Sequence, residues 1–188
     1  TLLDKTIDLK LKDVAFFDKY NEVVNVAGIV GGKKTACKSS TKSVIIECAY
    51  FDPEIILGKS VKYAINSDAA YKFERNTDPS CHNHVLRRFL KVIEDHVKIN
   101  KAELFTYNSA DHEPRFIRLD STKINKILGT RINDDEVINC LKRLGFLVKD
   151  KYIEVPTYRN DIYSINDLSE EIARAIGYDN IEKKNFNI

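Results

Sequence analysis

Asp161, Asp167, Glu170 and Glu171 crowd into one stretch, RNDIYSINDLSEEIARAIGYDNI. Positions 167, 170 and 171 follow i, i+3, i+4 spacing, so a helix there places them on one side of its start, with Asp161 in the loop leading in. Two like charges about 4 Å apart at an effective dielectric near 20 repel by about 4 kcal/mol. Four gathered carboxylates therefore require a cation, a basic partner or raised pKa values. Hard oxygen ligands of this type suit Mg²⁺, which takes few protein carboxylates and keeps several waters. A capping box between Asp167 and Glu170, helped by the helix dipole, explains two of the four without any metal. Asp161 and Glu171 are left over.

Other chemistry is sparse. Cys81, His82 and His84 lie close together, but a fourth ligand is missing and Cys-His-Asn-His is not a zinc spacing. The scattered cysteines, Cys37, Cys48, Cys81 and Cys140, form no CxxC pair and read as reduced thiols of a cytoplasmic protein. No G-x-S-x-G or H-E-x-x-H occurs, and Gly31-Gly32 lacks the Lys-Ser/Thr of a phosphate-binding loop. Lys123, Lys126, Arg131, Lys142 and Arg143 could meet phosphates, or could be the solvated faces of helices. The net charge of only +2 argues against a strongly basic clamp.

These residues need elements to position them. With 43% hydrophobic and 31% charged residues, the composition is that of a folded soluble chain, with no apolar run long enough for a bilayer. The opening TLLDKTIDLKLKD lacks the apolar centre and cleavage site of a signal peptide, and a start at Thr1 reads as an internal piece of a longer protein. In the first half, VVNVAGIV predicts a buried strand over Val23–Val30, and SVIIECAYF a second over Ser43–Phe51, stopped by Asp52-Pro53. Val85, Phe89, Val92, Ile93 and Val97 recur at helical spacing after Pro79, which predicts an amphipathic helix facing a core.

A polar break over 106–114 separates a second half of different texture. There RFIRLD predicts a strand. Ser121 caps a helix running through Leu128 to Gly129, and Asn133 with Glu136 forms a capping box for a helix closing at Gly145. FLV and YIEV form a hairpin, and a last helix spans about Asp167 to Ile176. The expected fold is α+β: a mixed β-sheet domain over 1–106, then a small winged-helix-like domain over 107–188.

The motifs resemble those of one family. VPTYRNDIYSINDLSEEIARAIGYDNI and ILGTRINDDEVINCLKRLGF are similar to a small domain of phenylalanyl-tRNA synthetase beta chains. VAGIVGG, SVIIECAYFDPEII and INSDAAYKFERNTDP resemble, in the same order, the later part of that family's editing domain. The resemblance implies a ligase that joins phenylalanine to its tRNA. ATP is used by the alpha subunit of an alpha2-beta2 enzyme. It also implies that Asp161, Asp167, Glu170 and Glu171 hold Mg²⁺ at the contact with that subunit. Glu47 matches the family's reader of the tyrosine hydroxyl on mischarged Tyr-tRNA, and Ser67 and Ala69 match pocket residues. Gly28, with Gly31-Gly32, reads as backbone turning beside that pocket. A site for phenylalanine cannot strongly reject an isostere carrying one more hydroxyl, which is the physical need for a second, hydrolytic site. The family's H-A-F-D segment has no counterpart in the 188 residues, so the piece alone is expected to lack a complete pocket and to be inactive in aminoacylation and editing. Ser67 stands where many members carry Thr, and Asn76-Thr77 where they carry Gly-Val. Two other readings are a non-catalytic nucleic-acid-binding module and a structural scaffold for the alpha subunit.

Overall fold

The computed structural model describes residues 1–107 and 112–182, which form two compact units, Thr1–Glu103 and Leu104–Ile188. Both are α+β, as expected, and both sheets are antiparallel.

In the first unit, β1 (Ala15–Phe17), β2 (Val23–Val26) and β3 (Val30–Gly31) form a sheet with β2 in the centre. The single strand expected over Val23–Val30 is thus a hairpin. Gly28, at φ +67, reverses the chain between two short strands, a conformation open to glycine without steric cost. Short helices follow: α1 (Pro53–Ile56), α2 (Lys59–Tyr63) and α3 (Asp68–Phe73). Val26, Ile29, Ile56, Tyr63, Ile65 and Ala70 make the core. The buried Asp13 carboxylate fastens the 10–13 turn to α2, accepting from Lys59, Lys62 and the Tyr63 hydroxyl. Burial alone would raise its pKa, but the hydrogen bonds from Lys59, Tyr63, the Lys10 amide and Lys62 win and hold it well below the usual carboxylate range.

Two expectations for this unit fail. Ser43–Phe51 is not a strand. Among the described residues none pairs with it in a ladder, and a β-branched run without a partner has no hydrogen bonds of its own to hold it extended. Ile45 is fully exposed, whereas Phe51 packs edge-on against Phe73 with ring centroids 5.0 Å apart. The predicted amphipathic helix exists as α4 (His82–Glu94), but among the described residues none of its side chains is buried, and Val85, Phe89 and Val92 are 40–45% exposed.

The second unit follows the expected order more closely. The strand β4 (Arg115–Arg118) precedes α5 (Ser121–Leu128) and α6 (Asp134–Arg143). The hairpin β5 (Leu147–Lys149) and β6 (Tyr152–Val155) leads to α7 (Ile165–Ile176). The strand order is β4-β6-β5, with helices packed on a core built around Ile124, Val137, Leu141, Phe146, Leu168 and Ile172. The polar break expected over 106–114 lies partly on 108–111, outside the described residues. Caps differ in detail from the sequence reading. Asp120, not Ser121, caps α5, accepting from the Lys123 amide at 2.9 Å. Asn133 caps α6 through the Glu136 amide at 2.9 Å, as expected, but the return bond of the expected capping box is replaced by one from the Asn133 side-chain amide to the Glu136 carboxylate at 3.3 Å. The capping box of α7 joins Ser164 to Asp167, one turn earlier than the Asp167–Glu170 pair expected.

The Asp120 assignment has a direct consequence. Asp120→Ala should destabilise the second unit by about 1 kcal/mol, and Ser121→Ala by no more than a few tenths, read from hydrogen exchange of the α5 amides.

Candidate functional site

The acids of the second unit are already occupied by protein. Arg159 sits two residues before Asp161 and grips it with two bonds, Nε to Oδ1 at 2.9 Å and Nη2 to Oδ2 at 2.6 Å. Its Nη1 donates to Oε2 of Glu171 at 2.7 Å. Arg174, one turn on in α7, pairs with the other oxygen of Glu171. One guanidinium thus ties the loop before α7 to a carboxylate on the buried face of the helix, where the Glu171 side chain is only 5% exposed. Hydrogen bonding to Arg159 draws the Asp161 pKa down, against the opposing effect of burial, and bonding to Asp161 draws that of Arg159 up.

Asp167 serves a different purpose. Its Oδ2 accepts from the amides of Tyr163 and Ser164 at 2.9 and 2.8 Å and from the Ser164 hydroxyl at 3.0 Å, and these bonds lower its pKa. Glu170 is exposed. The four acids expected to gather, three on one side of the helix start and Asp161 in the loop leading in, therefore diverge: two hold arginine, one caps, one faces water. Among the described residues no group of three or more His, Cys, Asp or Glu side chains is arranged to hold a metal ion. As it stands, this donor set does not fit Mg²⁺, because the oxygens it would take are engaged by guanidinium and backbone N–H groups. Sequence reasoning missed the arginines. Their signal was present in the i, i+3 pair of Glu171 with Arg174 and in Arg159 standing next but one to Asp161.

In the first unit, Glu47 lies on the segment without ladder bonds. Asn25, in the central strand, donates from Nδ2 to Oε2 of Glu47 at 2.6 Å. The glutamate is exposed by surface area, and its carboxylate is in part desolvated by neighbouring protein atoms. That partial desolvation raises its pKa, and the Asn25 bond offsets only part of the rise. Asn25 also lines a cavity of about 220 Å³ with Thr1, Lys5, Thr6, Ile7 and neighbouring strand residues. The other residues expected around Glu47 are placed separately from that cavity. Ser67 caps α3, accepting from the Ala70 amide at 3.1 Å and donating to the Ile29 carbonyl at 2.6 Å. Ala69 is exposed on α3. Gly28 is packed: a Cβ there would come within 2.8 Å of Ile56 and 2.9 Å of Phe51. Sequence reasoning missed Asn25, a polar residue in a β-branched strand. Lys123, Lys126, Arg131, Lys142 and Arg143 are all exposed, spread over α5, the following loop and the end of α6.

The arginine bridge predicts a contrast. Arg159→Ala strips a buried carboxylate of one of its two partners and should cost about 2–3 kcal/mol, whereas Asp161→Asn, at an exposed end, should cost under about 1 kcal/mol. Because the Asp161 pKa is lowered on folding, its share of stability is present above the ordinary aspartate value. It is lost as pH falls through the folded value, so the Asp161→Asn difference should vanish in acid. Urea unfolding of the second unit, followed at the α7 amides, checks both.

Two family models match successive stretches of the chain. Residues 1–98 match the B3/4 domain, and residues 117–178 match the tRNA synthetase B5 domain. A phenylalanine–tRNA ligase beta subunit from Vibrio vulnificus strain YJ016 is 33% identical over 98% of this chain and 24% of its own length. One from Methylococcus capsulatus is 32% identical over 92% of this chain and 22% of its own. One from Shewanella oneidensis is 35% identical over 83% and 20%. The chain thus spans about a quarter of the length of the curated relatives it matches. With a B3/4 domain covering more than half of its residues and a B5 domain after it, the chain belongs to the phenylalanine–tRNA ligase beta-subunit family.

Proposed function

We propose that this chain contributes to a phenylalanine–tRNA ligase in two ways: its first unit reads the side chain of tyrosine wrongly joined to the tRNA, and its second contacts the alpha subunit. The observation that carries the first part is Glu47, a partly desolvated carboxylate held by Asn25, which itself lines a cavity.

The chemistry follows from the charge. An ionised carboxylate accepts a hydrogen bond from a phenol, and a bond to a charged group contributes roughly 1.5–3 kcal/mol. Phenylalanine offers no donor, so the same carboxylate would lose its remaining water for nothing in return. That asymmetry favours tyrosine at the hydrolytic site and spares the correct product. Ser67 and Ala69, on and beside the α3 cap, would shape the approach rather than supply chemistry, and no residue of this chain is assigned as a nucleophile. Gly28 would act by keeping the β2–β3 reversal tight against Ile56 and Phe51.

For the second unit, the corner formed by Asp161, Arg159 and Glu171 is the proposed docking point for the alpha subunit. A Mg²⁺ bridge through Asp161, Asp167, Glu170 and Glu171 would first require Arg159 to release two carboxylates and Asp167 to give up its cap. No step proposed above depends on that ion. ATP use, tRNA charging and the alpha2-beta2 assembly belong to the whole enzyme within this proposal.

The test is deacylation of Tyr-tRNA and Phe-tRNA by the full-length enzyme carrying Glu47→Ala. Loss of a bond of this strength should reduce selectivity for tyrosine over phenylalanine by roughly 10- to 100-fold. Unchanged selectivity would remove Glu47 from the reading. Salt-dependent binding of duplex RNA that disappears when Lys123, Lys126 and Lys142 are neutralised, with deacylation intact, would instead favour a nucleic-acid-binding role for the second unit.

A further inference from the structure

We propose that Asn25 is the positioning residue for Glu47, fixing the plane of its carboxylate so that the tyrosine hydroxyl meets an oriented oxygen. The inference rests on the reading of Glu47 given above and adds to it the residue that makes the reading geometrically possible.

Glu47 and Asn25 differ in how firmly the fold holds them. Glu47 lies in a segment with no ladder hydrogen bonds, and Ile45, two residues earlier, is fully exposed. A glutamate on such a segment has three side-chain torsions to fix, and ordering them opposes binding. Asn25 is the opposite case. It sits in the central strand, paired with Phe16 on one side and Gly31 on the other. Val26, the next residue, is 5% exposed and belongs to the core. A side chain rooted there has a fixed origin, and its amide spans 22 residues of sequence to reach Oε2 of Glu47 at 2.6 Å.

An amide is suited to this task. Its N–H donates to a carboxylate without adding charge, so Glu47 remains the sole anion offered to a phenol. A lysine or arginine in its place would neutralise the carboxylate, as Arg159 does for Asp161 in the other unit. The neighbouring Cys48 is held too, its thiol donating to the His82 carbonyl at 3.8 Å, so the segment is pinned on both sides of the peptide bond between them. The same Asn25 also lines the cavity beside the sheet, so one strand residue both borders that space and holds the Glu47 carboxylate.

The experiment combines a titration with a kinetic measurement. The Glu47 carboxyl is titrated by ¹³C NMR in the 188-residue chain, unchanged and with Asn25→Ala or Asn25→Asp. Tyr-tRNA and Phe-tRNA deacylation is measured in the intact enzyme bearing Asn25→Ala or Glu47→Ala. Removing a donor to the charged form should raise the Glu47 pKa by about half a unit to one unit in Asn25→Ala. A like charge in Asn25→Asp should raise it by more than about one unit. Asn25→Asp is isosteric and carries the titration should Asn25→Ala fail to fold. Selectivity for tyrosine should fall about threefold to tenfold in Asn25→Ala, less than in Glu47→Ala. A Glu47 pKa that stays put in both Asn25 variants overturns the inference, whatever Glu47→Ala does. So does a loss of selectivity in Glu47→Ala that Asn25→Ala does not share. If the pKa moves but Glu47→Ala leaves selectivity unchanged, the role of Glu47 is what has failed, and the role of Asn25 falls with it.

Discussion

A carboxylate drawn out of water must find donors from the protein, and both units are organised around that demand. Asp13 collects two lysines and a tyrosine and so fastens a turn to α2. Glu171, on the core face of α7, takes two arginines, one of which also grips Asp161 and sets the loop before the helix. Asp167 takes backbone N–H groups and fixes the start of the same helix. Glu47 differs from these in direction: its partner is one neutral side-chain amide, and burial raises its pKa by more than that bond lowers it. A carboxylate paired with arginine or lysine has its charge offset by its partner, whereas a side-chain amide donates a hydrogen bond and adds no opposing charge.

This contrast also says why acids close in sequence are not thereby a metal site. Glu170 and Glu171 are adjacent, so about 100° of helix rotation separates them. One is exposed and the other is buried, as are Leu168 and Ile172 on the same helix. Spacing fixed their relative angle but could not say which would turn inward, because that depends on the sheet and helices packed against α7. Asp167 was free in the sequence reading to share a cation with them, yet its cap with Ser164 satisfies it locally and costs no metal.

Local chemistry was the legible part. Gly129, Asn133 and Gly177 mark helix ends where the sequence places them, and the β5–β6 hairpin follows from two short β-branched runs around a polar turn. Legibility failed where a partner decides the outcome. Among the described residues, Ser43–Phe51 has strand residues but no strand beside it, and α4 has an amphipathic stripe but no buried side chain. Periodicity reports what a segment can pair with, not whether the pairing is made. The Asn25–Glu47 bond was invisible for a related reason: it joins residues 22 apart across a turn and a loop, and neither type nor spacing announces it. The family motifs placed Glu47 on the page but gave no hint of what would hold it.

Arg159 is the sharpest case, since the same two carboxylates can be read as ligands for a divalent ion or as partners of a guanidinium. The decisive measurement is the protection and chemical shift of the Arg159 Nε proton by NMR as Mg²⁺ is added to the chain. If Arg159 is what satisfies Asp161 and Glu171, the proton stays protected and its shift stays constant through millimolar Mg²⁺. Loss of that protection, with saturable shifts at the carboxyl carbons of Asp161 and Glu171, would show that the ion displaces the arginine and would contradict the account.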